Sequence, residues 1–146
     1  MRALLLVTIT LVTACGGESS EARQSIRVPG SLEGLPFASA VRVDDMLYLS
    51  GQIGTLAGTT ELIEGGVGAE TRQTLQNIRT VLEYAGSSLG DVVKCTVFLV
   101  DIADYQEMNL VYRAFFGEDP PARSTVAGSG LALGARVEIE CLAVIE

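Results

Sequence analysis

Near the end of the chain stand an arginine and a glutamate whose types and settings could do chemistry. Arg123 lies in Pro-Pro-Ala-Arg-Ser-Thr (Pro120–Thr125), and Glu138 follows in Arg-Val-Glu-Ile-Glu-Cys (Arg136–Cys141). Two prolines just before Arg123 restrict its backbone. A guanidinium held in this way can grip a carboxylate with two parallel hydrogen bonds. A glutamate in an otherwise apolar strand is costly to bury without a task, and a positioned carboxylate can orient water or move a proton. The pair describes a small-molecule site that requires neither a metal nor an organic cofactor. A plainer reading is also open, in which Arg123 forms a structural ion pair with Glu138 or Glu140.

Composition removes most competing chemistries. The chain has no histidine, which excludes Ser-His-Asp and Cys-His catalysis, histidine-ligated zinc and imidazole proton transfer. No phosphate-binding or dinucleotide-binding glycine motif occurs. The formal charge of -8 comes without a basic cluster, which argues against nucleic acid as a partner. Of the three cysteines, Cys95 and Cys141 both fall in strand-like segments. Two buried free thiols are the simpler reading, and a disulfide between them is the alternative in an oxidising compartment.

The elements that must position Arg123 and Glu138 follow from periodicity. Val41–Ser50 contains two short strand patterns about Asp44-Asp45, a hairpin turn, and Gly51–Gly54 leaves it. A mobile loop is expected over Thr55–Gly68. In Ala69–Ala85, Leu75, Ile78, Val81, Leu82 and Ala85 form a helical apolar stripe, with Glu70 among the polar residues outside it, and Gly86 stops the helix. Val92–Val100 reads as a strand buried on much of both faces. A second helix starts at Asp104, a capping residue with Glu107 three positions on, and ends at Gly117 before Pro120-Pro121. Ser124–Ala127 reads as a short strand and Arg136–Ile145 as a long one. The order predicts an α+β fold, a mixed sheet with both helices on one face. Few residues remain to cover the other face, so self-association is expected.

The amino terminus is read separately. Ala3–Val12 is apolar but too short for a permanent span, which needs about 20 residues. It ends in Val-Thr-Ala-Cys, similar to a bacterial lipobox, which would make Cys15 a lipidation site. An ordinary secretory signal with a chance cysteine is the alternative. The chain then divides into a signal peptide (1–14), a flexible tether (15–27) and a domain (28–146). The tether's ten residues Gly16–Ser25 would reach at most about 35 Å. Loss of residues 1–14 removes one charged side chain, Arg2, and takes the charge from -8 to -9. The lipid would attach the protein to the periplasmic side of a bacterial membrane. Gly16 rather than Asp after Cys15 favours the outer one.

Several runs carry a family resemblance: Leu49–Ile53 (LSGQI), Glu70–Ile78 (ETRQTLQNI), Ala85–Phe98, Asn109–Tyr112 (NLVY), Pro120–Thr125 and Val137–Cys141. In order and spacing the chain from about Leu35 onward resembles the RidA/YjgF family of imine deaminases. The resemblance implies a chorismate-mutase-like fold, a homotrimer with sites between subunits, no cofactor, and hydrolysis of 2-imino or enamine acids to 2-oxo acids and ammonia. It further implies that Arg123 clamps the substrate carboxylate and Glu138 orients the attacking water. Thr125 would assist in catalysis, with Ser50, Asn109 and Phe37 bordering the substrate. Phe37 stands where the deaminases carry tyrosine, and Ala127–Ala135 replaces a more charged stretch. The alternative on the same fold is a non-catalytic module that binds a small carboxylate or acts as a holdase.

Overall fold

The computed structural model describes residues 23–145; Cys15 and the lipobox-like run lie outside the described residues. Four short strands come first: β1 (Gln24–Ile26), β2 (Ala40–Val43), β3 (Met46–Leu49) and β4 (Gln52–Ile53). Helix α1 (Gly66–Tyr84), β5 (Val92–Leu99), α2 (Tyr105–Phe116), β6 (Ala122–Ala127) and β7 (Val137–Val144) follow. The strands form one sheet in the order β1-β2-β3-β7-β5-β6, and β4 pairs with β7 beyond the end of β3. β5 and β6 run parallel, while the other pairs are antiparallel. This is the expected α+β architecture, with a mixed sheet and two helices.

Alternation along β5 and β7 creates the core. Cys95, Val97 and Leu99 face inward beside Val137, Ile139, Cys141 and Ala143, and α1 covers them with Leu75, Ile78 and Leu82. Met108 and Tyr112 of α2 extend the same apolar layer. Burial of such side chains is worth roughly 1.5–3 kcal/mol each and holds both helices against the sheet. The β2–β3 turn is reversed by Asp44 at φ 51, a left-handed conformation that Asp tolerates better than most residues.

Several expectations are corrected. The span read as a tether (15–27) includes β1, where Gln24–Ile26 pairs antiparallel with Ala40–Arg42, so the ordered domain begins within that span. Loop 55–68, expected to be mobile, is folded back by the Thr55–Leu62 bridge and the Leu56 N–H bond to the Glu61 carbonyl. β5 is buried on one face only, because Lys94, Thr96 and Phe98 point away from the helices. Asp104 does not cap α2; both its carboxylate oxygens accept from Arg136, at 2.7 and 3.0 Å. Glu107 instead accepts from the Gly68 N–H at the start of α1. Glu70 is buried, not on the solvent side, and accepts from the Arg136 N–H at 2.8 Å.

Cys95 and Cys141 form a disulfide rather than two free thiols. They stand directly opposite in the β5–β7 ladder, with Cα atoms 4.1 Å apart, on the helix-covered face. Each strand was readable alone, but nothing in either segment set the register between them.

The second sheet face presents Val41, Tyr48, Phe98, Leu142 and Val126, each half-buried or exposed, and among the described residues no helix crosses it. Single exposed apolar residues are ordinary; five of them spread over five strands of one uncovered face are not.

Candidate functional site

Strand parity puts the two key residues on opposite sides of the sheet. Arg123 pairs with Cys95 and so projects toward the helices. Glu138 pairs with Phe98 and projects to the open face. Within one chain they do not meet, and the ion pair between Arg123 and Glu138 or Glu140 does not form.

Arg123 is gripped by α2. Its guanidinium lies 4.6 Å from the Tyr112 ring centroid and 5.7 Å from that of Tyr105. Nη2 donates to the Tyr105 hydroxyl at 3.3 Å, and Nη1 approaches the Met108 sulfur at 3.9 Å. Residues 105, 108, 109 and 112 fall on one helical face, which is why a single helix supplies all of these contacts together with Asn109. Sequence reading placed a helix here but singled out none of Tyr105, Met108 and Tyr112 as a partner of Arg123. The i, i+3, i+7 spacing opposite an arginine-bearing strand was the available signal.

A cavity of about 350 Å³ opens here, lined by Arg123, Asn109, Tyr112, Pro120 and Pro121. No acidic side chain bonds Arg123 among the described residues. The Tyr112 hydroxyl and the Thr125 hydroxyl are buried without a hydrogen-bond partner among the described residues. Thr125 is two residues from Arg123 on β6, hence on the same face. Burial pushes the Tyr112 hydroxyl up to about 12, against the opposing charge of Arg123. Tyr105 moves the other way, lowered by its bonding to Asn109 and then by Arg123.

Glu138 belongs to a second cavity of about 520 Å³, shared with Phe37, Gly51, Ile53, Leu56 and Leu133. Its carboxylate has no donor among the described side chains and lies so close over Gly51 that a Cβ there would collide with Oε1. Gly51 is therefore the residue that lets the carboxylate fold back along the sheet. Partial burial, reinforced by the charge of Glu140, raises its pKa above the usual carboxylate value. Ser50 lines neither cavity. Its hydroxyl donates to the Ala38 carbonyl at 2.7 Å and fixes the segment that carries Phe37. Among the described residues no group of acidic or cysteine side chains is arranged to hold a metal.

The structure thus brings Arg123, Thr125 and Asn109 together on one side and Glu138 and Phe37 together on the other. The family model described as Endoribonuclease L-PSP matches residues 32–145. The chain belongs to the RidA/YjgF family. The human 2-iminobutanoate/2-iminopropanoate deaminase is 39% identical over 118 residues, covering 81% of this chain and 85% of its own. RidA of an Antarctic Psychrobacter superposes with a TM-score of 0.78 at 38% identity, over 84% of this chain and 99% of its own. TdcF of E. coli, solved with bound serine, gives 0.78 at 32% identity, over 84% and 99%.

Proposed function

We propose that this RidA-family chain hydrolyses reactive 2-imino and enamine acids to 2-oxo acids and ammonia, in sites completed between copies of itself in a homotrimer. The observation that carries this reading is a guanidinium and a carboxylate, each without a charged partner among the described residues, on opposite faces of one sheet. Bringing them to one substrate requires a second copy, and the uncovered apolar sheet face offers the surface for it. The deaminase name of the human relative and the serine held by the E. coli relative support a small amino-acid-like substrate.

In this reading Arg123 binds the substrate carboxylate bidentately, helped by Asn109 and the free Thr125 hydroxyl. Glu138 of the neighbouring copy faces the imine carbon. It takes a proton from water as the oxygen–carbon bond forms and passes it to the imine nitrogen, giving a carbinolamine. It then takes the proton of the new hydroxyl and delivers it to nitrogen as the carbon–nitrogen bond breaks. Ammonia leaves and the carbon becomes a ketone. Imines already react with water, so positioning and proton delivery suffice. Phe37 walls the cavity without a hydroxyl, and Ser50 acts through the segment that it holds.

Export with lipid attachment at Cys15 remains part of the proposal. The Cys95–Cys141 bridge is at home in an oxidising compartment, which supports it. The deciding experiment generates imines with an amino-acid oxidase and follows 2-oxo acid release. Acceleration by the wild type that is lost in Arg123→Ala is expected. A wild type that binds 2-oxo acids through Arg123 without acceleration is the binding module instead.

A further inference from the structure

The Glu138 cavity has a composition that the reaction itself does not require. Among the described residues Glu138 is the one ionisable side chain that lines it. Three large apolar residues converge on it from separate segments: Phe37 before β2, Leu56 between β4 and α1, and Leu133 between β6 and β7. They are 50%, 40% and 57% exposed, so they are not filling the core. Leu133 is also held at φ 57. That conformation is rare for a leucine, which has no polar side-chain atom to bond locally. Strained backbone of this kind persists where the surroundings enforce it, and it points to a task for the residue.

We propose that this cavity selects 2-imino acids with a bulky apolar side chain, branched aliphatic or aromatic, over those with a small alkyl group. Phe37, Leu56 and Leu133 are the wall that reads the side chain. The inference rests on the deaminase reading of the same site and names its substrate class. Proton chemistry at Glu138 and carboxylate capture at Arg123 are common to every 2-imino acid. Discrimination must therefore come from what surrounds the side chain. In the single chain the hollow of about 520 Å³ offers more room than the smallest imino acids need. Each methylene that moves from water against such a wall multiplies affinity by roughly fourfold when buried in full.

The full chain is tested with oxidase-generated imines of leucine and of alanine, in parallel with calorimetric binding of 4-methyl-2-oxopentanoate and pyruvate. Three extra carbons, partly buried, are expected to raise kcat/KM and affinity by at least about tenfold. Leu133→Ala and Leu56→Ala should each shrink that ratio by about threefold or more. Turnover of both imines with a ratio near one overturns the selectivity while leaving the deaminase reading intact. Tenfold tighter binding of the larger oxo acid without turnover removes the deaminase reading and keeps the pocket. No binding and no turnover removes both.

Discussion

Arg123 and Glu138 are charged groups on strands of one sheet, yet their surroundings are built in opposite ways. Arg123 is held by three side chains of α2, two aromatic rings and a thioether, which fix its plane and leave its charge unneutralised. Glu138 has no such holder; it lies over a glycine in an apolar hollow, and its surroundings disfavour its charge. The first arrangement suits a group that must present a fixed fork to a ligand. The second suits a group that must be ready to take a proton. A carboxylate made basic by burial would be wasted beside a guanidinium on the same chain, since the ion pair would lower its pKa again. Placing them on opposite sheet faces keeps each from neutralising the other within one chain.

That separation gives the largest expected effect. Glu138→Gln should lower turnover by about 10²- to 10⁴-fold, the usual share of a positioned base, while sparing 2-oxo acid binding. Arg123→Ala should be as inactive at low substrate. If the sites lie between subunits of a trimer, unfolding the two inactive variants together and refolding them should restore activity. Random assembly gives roughly a quarter of the wild-type rate, because each mixed trimer regains one intact site of three. No recovery in verified mixed trimers would place both residues in one chain's site and break the contrast. The acidic side of the rate profile sharpens it. In the proposed mechanism Glu138 acts as base when ionised, so activity should fall as pH drops through a pKa above the ordinary carboxylate value. For folding the sign is the reverse of the usual carboxylate case. The raised pKa favours the protonated native state, so Glu138 adds stability at low pH that is lost as pH rises through its folded pKa.

The contrast also separates what a single sequence can and cannot show. Both helices were legible because Leu75, Ile78, Val81 and Leu82 repeat at helical spacing and Gly86 and Gly117 close the two segments. The residue types at the site were legible as well, since proline-flanked arginine and strand-borne glutamate stand out locally. What was not legible depends on register. Glu107 and Asp104 have the spacing of a local cap, but Gly68 and Arg136, distant in sequence, claim them instead. Cys95 opposite Cys141, and Arg123 opposite Cys95, are pairings that only assembly of the sheet decides.

The disulfide lies in that same ladder, behind Arg123 and away from the Glu138 carboxylate. It closes a chain segment of 46 residues, so its loss should cost about 2–4 kcal/mol of stability. Cys95→Ala with Cys141→Ala, compared with wild type in oxidised and reduced buffer by denaturant unfolding, measures it. The expected result is a lower midpoint for the double variant, with wild type matching it only after reduction. A midpoint unchanged in every case would mean that the bridge contributes nothing beyond a packed thiol pair.

The smallest effect probes how Arg123 is held. Tyr105 accepts a hydrogen bond from Arg123, which leaves its own O–H to donate to a carboxylate bound on the same guanidinium. Tyr105→Phe keeps the ring over the cation and removes only that oxygen. Substrate KM and the dissociation constant for a 2-oxo acid should rise about three- to tenfold, with kcat little changed, since the hydroxyl serves binding and not the proton transfer at Glu138. The alkaline side of the profile distinguishes this from loosened packing. Asn109 and Arg123 lower the Tyr105 pKa, so its phenolate forms earlier than that of an ordinary tyrosine and sets a second negative charge beside the bound carboxylate. Affinity in the wild type should therefore fall as pH rises toward that value, and Tyr105→Phe should flatten the fall. A variant that weakens binding equally at every pH would make Tyr105 a prop for the arginine. A variant that lowers kcat instead would extend the proton chemistry to the Arg123 side and erase the division of labour between the two faces.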